Sequence, residues 1–467
     1  MEVQIRLSLF IADLSAVSVR NCVFPWHWML VTNDGDVMPC SHGSAPVGNL
    51  LTSTAEEIWN GPLMQEVRGA LLRGEVHRVC HSSECPFQRE HPAFPERAAP
   101  LSLDEEFAQS FNEAAYLADH PDVGAQVEEG RFASGLEHFV RHGRHEGRSY
   151  RLTTSLPTQA PVVAAESIDE ETGDSGPRRE SSGPPAPLEN ATLGLVEYSR
   201  GAVELRAHPV DVVLAVTTIC NLRCVMCPQG MEQVTNPHHM PVSVVERARQ
   251  VLESATRIII SGVGEPTTAP AFWWVVDHMP ARRRRFVRAN TNGHFLDDAR
   301  AARIASSCVT ELSVSLDAAR PETYHKIRGG DFDRVLTAVK VLMRARSACP
   351  TSRIFINVNM TLMRENVFEA AMFVALARRL AVDGVVFTQL FTFGDVPTWR
   401  VRRGAWEFVY SEQMIAGYGS EVRRHLEAAS QCARNLGVPV FFRDNTASHL
   451  LAGREDQPVR AAAPDAA

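Results

Sequence analysis

The sequence predicts an α/β fold: a partial (β/α)6 barrel in the carboxy-terminal half, preceded by a small α+β domain and a short helical module. Six short apolar runs read as strands: Val212 to Val216, Arg257 to Ile260, Phe286 to Ala289, Glu311 to Leu316, Ile354 to Met360 and Gly384 to Leu390. Helical runs lie between them, among them Val242 to Glu253, Asp297 to Ala305, Asp333 to Ala345 and Val367 to Leu380. Strands joined through a helix pair in parallel, because antiparallel neighbours need only a tight turn. In such barrels the loops that follow the strands form the active face.

A stretch rich in Pro, Ser, Gly and Glu separates this half from the first and reads as a flexible linker over residues 151–195. It leaves a first domain at 1–97, a helical module at 98–150 and the barrel at 196–400. A helical extension with a strand follows at 401–452, and a low-complexity, disordered tail at 453–467. The apolar segment Leu7 to Val19 leads into the first domain.

Composition bounds the function. Hydrophobic residues make up 45% and charged residues 22% of the 467, the balance of a soluble globular chain. A net charge of -8 argues against a nucleic-acid binder, since phosphates demand a basic face. The run Arg282 to Arg285 reads as a solvated helix end. No run approaches the roughly 18 apolar residues of a membrane span. Ten cysteines without a signal-peptide pattern suggest thiolates used as ligands in a reducing compartment, the cytoplasm by default.

Cys220, Cys224 and Cys227 fall in one run, Thr217 to Pro228, between the first barrel strand and its helix. Clustered thiolates are soft ligands, suited to zinc or to an iron–sulfur cluster. A closed zinc site wants four ligands, and no further cysteine or histidine follows within ten residues. Three cysteines on a [4Fe-4S] cluster would leave one iron open.

In the first domain, Val31 to Val37 carries a hairpin signal, and Ser53 with Glu56 reads as a capping box before the helix of Ile58 and Trp59. Cys22, Cys40, Cys80 and Cys85 could close one [4Fe-4S] site or one zinc site. The module's Phe107, Phe111, Ala115, Leu136, Phe139 and Val140 have helical spacing, and His138, His142 and His145 read as a surface helix end. Cys308, Cys349 and Cys432 read as buried and structural. His238 and His239, in a loop, carry no signal of their own.

The spacing Cys-x3-Cys-x2-Cys in this loop resembles the signature of the radical S-adenosylmethionine (radical SAM) enzymes, whose fold is a TIM-like barrel. The resemblance implies that the open iron binds S-adenosylmethionine and that a 5'-deoxyadenosyl radical then abstracts a substrate hydrogen. It also implies cofactor-binding roles for Gly262, Gly264 and Glu265 after the second strand, for Asn292 in the Asn290 to Gly293 turn, and for Ser315, Arg328 and Gln389. Asn357, Asn359 and Gln389 could face the nucleoside or be satisfied core polars. No catalytic acid or base stands out; Asp317 and Glu365 could equally be structural.

The amino-terminal cysteines, with Val47 to Leu50 and Glu57 to Gly61, resemble the SPASM domain, which implies a second [4Fe-4S] cluster. That domain ordinarily follows the radical domain, so the order here is permuted. Phe111 to Arg148 resembles a short module of some bacterial glycosyltransferase-associated proteins. Together these resemblances imply a peptide or a sugar or cyclitol as substrate, and flavodoxin or ferredoxin as electron donor. A cluster-bearing binding protein without catalysis is the alternative.

Overall fold

The strands, in chain order, are β1 (Trp28–Val31), β2 (Asp36–Met38), β3 (Gly48–Asn49), β4 (Asp211–Ala215), β5 (Arg257–Ser261), β6 (Phe286–Thr291), β7 (Glu311–Ser315), β8 (Phe355–Leu362), β9 (Gly384–Gln389), β10 (Arg400–Arg403), β11 (Trp406–Val409) and β12 (Val440–Arg443). They come from a computed structural model, which describes residues 22–41, 43–80, 108, 111–128, 132–139, 148, 185–282, 285–390, 398–415 and 418–443. Ten strands form one sheet in the order β12-β9-β8-β7-β6-β5-β4-β1-β2-β3, while β10 and β11 pair separately. The six expected strands are β4 to β9, all parallel to their neighbours.

Side chains alternate between the two sheet faces along each strand. One set, including Val212, Leu214, Ile258, Ile260, Val287, Leu312, Val314, Val358 and Phe387, enters the main core. The other set changes character across the sheet. Trp28, Val213 and Ile259 make an apolar patch on β1, β4 and β5. Farther along, Ser313 Oγ donates to Asn357 Oδ1 at 2.6 Å, Asn357 Nδ2 donates to Glu311 at 3.2 Å, and Arg288 pairs with Glu311 at 3.3 Å. Asn357 is therefore a satisfied core polar group.

The amino-terminal domain is built into this sheet. β1 pairs in parallel with β4, Trp28 opposite Asp211 and Val31 opposite Leu214, and the hairpin β1–β2–β3 extends the edge. β12 covers the other edge, in parallel with β9. Arg68, on the helix Pro62–Arg73, clamps the junction: Nε donates to Pro25 O, Nη1 to Val203 O and Nη2 to Trp59 O, each at 2.8 Å. Its guanidinium lies 4.6 Å from the Trp59 ring centroid. Burial pulls its pKa down to about 9.

Several expectations are corrected. The helix Pro187–Arg200 occupies the end of the stretch read as linker, with Pro at its start and Gly201 in the left-handed conformation at its close. The capping box is one residue later, Thr54 with Glu57. Arg285 is buried and donates to Glu253 O and Ala255 O at the end of the helix Arg249–Ser254, rather than being solvated. His138 is buried against Tyr116, with Nδ1 3.0 Å from the hydroxyl. Cys308 is buried, whereas Cys349 and Cys432 are half-buried. A hairpin, β10–β11, opens the segment read as a helical extension, before the helix Gly419–Leu436. Leu7 to Val19, Cys85, Phe107, Val140, His142, His145 and the tail lie outside the described residues. Among the described residues no helix is long and apolar enough to cross a membrane.

Replacing Arg68 by Leu strands three carbonyls, two of which, those of Pro25 and Trp59, are buried. The Arg68→Leu variant should lose about 3 kcal/mol of stability, read in thermal and denaturant unfolding. Arg68→Lys should recover less than half, because one ammonium cannot reproduce the planar fork.

Candidate metal and cofactor centre

The cysteine loop leaves the end of β4 and is shaped by contacts that admit no side chain. A Cβ on Gly264 would lie 2.3 Å from Ile219 O, and one on Gly262 2.5 Å from Thr217 O. Both distances are below any real contact, so these glycines let the loop after β5 press against the backbone of the cysteine loop. Gly264 N then donates to Thr217 O at 3.1 Å, and Glu265 N to Ile219 O at 2.8 Å. Gly230 closes the far side, where a Cβ would meet Cys224 O at 2.0 Å.

Glu265 fastens the next loop. Its buried carboxylate accepts from Thr267 N at 3.2 Å, Thr267 Oγ1 at 2.6 Å, Thr291 Oγ1 at 2.7 Å and Asn292 N at 2.6 Å. Burial raises its pKa against the pull of these donors. Asn292 thereby reaches the cysteines: Nδ2 donates to Asn221 Oδ1 at 2.8 Å and lies 3.8 Å from Cys220 Sγ. His294 is a further link, with Nδ1 3.1 Å from Asn292 O and Nε2 accepting from Asp331 N at 3.2 Å.

Arg328 is buried at the end of the helix Pro321–Arg328 and donates to Asp317, whose other oxygen accepts from Thr361 N at 2.6 Å. Burial alone would lower the pKa of Arg328, but Cys224 and Asp317 beside it raise it. Its Nε is buried with no hydrogen-bond partner among the described residues. Arg320, the other arginine nearby in sequence, is exposed. Glu365 is taken up by Lys326. Ser315 and Gln389 end β7 and β9 on the same side of the sheet as the cysteine loop.

The three thiols sense one another. Burial first, then the neighbouring Cys224, pushes Cys220 up to about 11 and Cys227 up to about 12; Cys224 itself is also raised by burial. Thiols this reluctant to ionise become thiolates when a cation shares their charge. Among the described residues, no three His, Cys, Asp or Glu side chains are gathered closely enough to hold a single metal ion. Three soft donors, an adjacent buried cation and an unsatisfied N–H fit an anionic iron–sulfur cluster with its ligands on separate irons.

At the amino-terminal site, Cys22 and Cys40 pack on the apolar patch of Phe24, Trp28, Val213 and Ile259. Ser44 N donates to Val79 O at 2.8 Å, tying the loop of Cys40 to that of Cys80. Sequence reasoning missed two features around the centre. His238 joins the domains, its Nε2 2.6 Å from Asn33 Nδ2 and 2.9 Å from Asp34 Oδ1, while its backbone pairs with Thr218. The β10–β11 hairpin lies over the cysteine loop, with Trp399, Val401, Trp406, Phe408 and Tyr410 in one apolar cluster with Cys220, Cys224 and Cys227. The hairpin had a legible signal, a two-residue turn at Gly404 and Ala405 between alternating residues; His238 had none.

Gly264→Ala should push the cysteine loop from its place. Iron bound after anaerobic reconstitution, with the absorbance of the cluster near 400 nm, is expected to fall at least twofold.

The model of the Radical SAM superfamily matches residues 214–377, and that of the SPASM iron-sulfur cluster-binding domain matches residues 22–86. The mycofactocin maturase MftC of Mycobacterium tuberculosis (strain ATCC 25618 / H37Rv) is 30% identical over 173 residues, 37% of this chain and 42% of that one. A protein of Saccharolobus islandicus (strain M.14.25 / Kamchatka #1) named "Probable GTP 3',8-cyclase" is 26% identical over 185 residues, 39% of this chain and 58% of that one. Among solved structures, SuiB of Streptococcus suis has 15% identity and a TM-score of 0.40, covering 55% of this chain and 53% of that one. The chain thus spans less than half the length of the first curated relatives it matches. The radical SAM domain implies a [4Fe-4S] cluster and S-adenosylmethionine, and the SPASM domain suggests an additional cluster. A radical SAM domain thus spans residues 214–377 of this chain, with a SPASM domain ahead of it at residues 22–86.

Proposed function

We propose that this chain reductively cleaves S-adenosylmethionine at a cluster held by Cys220, Cys224 and Cys227 and uses the resulting radical to take a hydrogen from a peptide. The observation that carries the reading is the gathering of three thiols, Cys224 buried and Cys220 and Cys227 half-buried, with Asn292 and the buried Arg328 at the strand ends of a parallel sheet. The peptide is supported by the relatives named as maturases.

When bound, the cluster and S-adenosylmethionine supply one-electron cleavage of a sulfonium bond and the hydrogen-abstracting radical. The protein's residues place and shield them. Gly262 and Gly264 set the position of the cysteine loop, and Glu265 sets that of Asn292. Arg328 offers its Nε–H and its charge to an anionic group beside Cys224, with Asp317 holding its orientation. Ser315 and Gln389 are assigned to the cofactor's polar groups on the same side of the sheet. The hydrophobic cover of Leu222, Met226, Met363, Phe408 and Tyr410 shields Cys224 and Val225 from water.

Cys22, Cys40, Cys80 and Cys85 are assigned to the auxiliary cluster, in cis and in permuted order. The pairing of β1 with β4 supports cis placement, since it makes the two domains one sheet. A sugar or cyclitol substrate is the second reading, which a small-molecule screen distinguishes from a precursor-peptide screen.

Anaerobically reconstituted protein with dithionite should form 5'-deoxyadenosine, and its absence under strong reduction would favour a binding protein without catalysis. Replacing Cys220, Cys224 and Cys227 together by Ala should abolish this product. That variant should retain about four irons per chain; one zinc in their place would refute the auxiliary cluster.

A further inference from the structure

The β10–β11 hairpin presents a basic surface beside the cysteine loop. Arg400 and Arg402, with side chains 60% and 81% exposed, share the carboxylate of Glu407 at 3.3 and 3.1 Å. Arg403 turns toward the loop and donates to His325 O and Lys326 O, each at 2.9 Å, and to Arg223 O. Gly329 leaves room for this, since a Cβ there would stand 2.9 Å from Arg403 Nη2. Lys326 lies 4.3 Å from the centroid of the Trp406 ring and pairs with Glu365. Arg223 is itself exposed between Cys220 and Cys224. Among the described residues, five basic side chains thus meet two carboxylates here, on a chain of net charge -8.

We propose that this surface is the docking site of an acidic one-electron carrier protein that reduces the cluster of Cys220, Cys224 and Cys227. The inference rests on the radical reading above and adds the place where its electron enters. Two observations favour this occupant. The local charge is opposite to that of the chain as a whole, so an acidic partner is repelled elsewhere and steered here. Trp399, Val401 and Trp406, on and beside the same hairpin, share one apolar cluster with Cys220 and Cys227, so packed side chains connect the hairpin to the cysteines without a gap between them. One electron passes from the carrier's redox group to the cluster; the carrier is oxidised by one electron, the cluster is reduced by one, and no bond or proton need move. A small, transient contact suffices, as is usual for electron-transfer pairs.

The test uses full-length reconstituted protein with purified flavodoxin and, separately, an acidic ferredoxin as probes. Both the dissociation constant for the carrier and the stopped-flow rate of cluster reduction are read at low and high salt. The double variant Arg400→Glu with Arg402→Glu should weaken Kd and slow carrier-driven reduction about tenfold or more at low salt, with the difference shrinking at high salt. Dithionite, which needs no docking, should reduce both proteins at the same rate. Glu407→Gln, which removes a carboxylate and adds no bulk, should tighten Kd about twofold. Kd and rates that ignore these charges would overturn the docking surface. So would loss of binding to a poly-glutamate peptide with carrier-driven reduction unchanged, which would assign the surface to an acidic peptide. A cluster that dithionite reduces without cleaving S-adenosylmethionine overturns the radical reading instead, and the proposal with it.

Discussion

The centre depends on one steric constraint, the approach of the loop after β5 to the backbone of Thr217 and Ile219. The glycines at 262 and 264 allow two backbone hydrogen bonds to form where any side chain would collide. Those bonds fix the start of the cysteine loop before any ligand is bound. Glu265 carries the order one loop farther, because its carboxylate has four donors converging on it from the ends of β5 and β6. A buried carboxylate so satisfied is costly to move, and Asn292 inherits its rigidity. The positions of the cysteines therefore follow from backbone geometry more than from the cysteines themselves.

A second layer of order comes from charge. Arg328, Asp317 and Cys224 form a buried series in which the cation is balanced on one side and faces a thiol on the other. Without metal, burial keeps the thiols protonated. Metal loading and ionisation are thus coupled at this site: the fold supplies a cavity in which the thiolate form is costly until iron shares its charge.

Much of this was legible in the sequence. β4 to β9 announce themselves through β-branched runs such as Ile258 to Ile260 and Val385 to Phe387, and the cysteine spacing pointed to the loop after β4 as the candidate centre. Glu265 was found by motif, but its observed work is to hold Asn292 and Thr291, a role that only tertiary contacts reveal. The helix from Pro187 was hidden because its start shares the Pro-rich composition of the segment before it. His238 carried no signal, because its partners, Asn33 and Asp34, lie on a hairpin about 200 residues away. The pairing of β1 with β4 was invisible for the same reason, since parallel strands leave no local turn signature.

That pairing has a consequence for biosynthesis. The hairpin of β1, β2 and β3 is translated long before β4, the strand that completes its edge. At elongation rates of roughly 5 to 20 residues per second, β1 waits roughly 10 to 40 seconds for β4 to be made. The edge that β4 completes must be guarded against other chains until then, as any exposed strand must. Domain order in this protein is thus also an order of synthesis, in which the strand edge that β4 completes is made first.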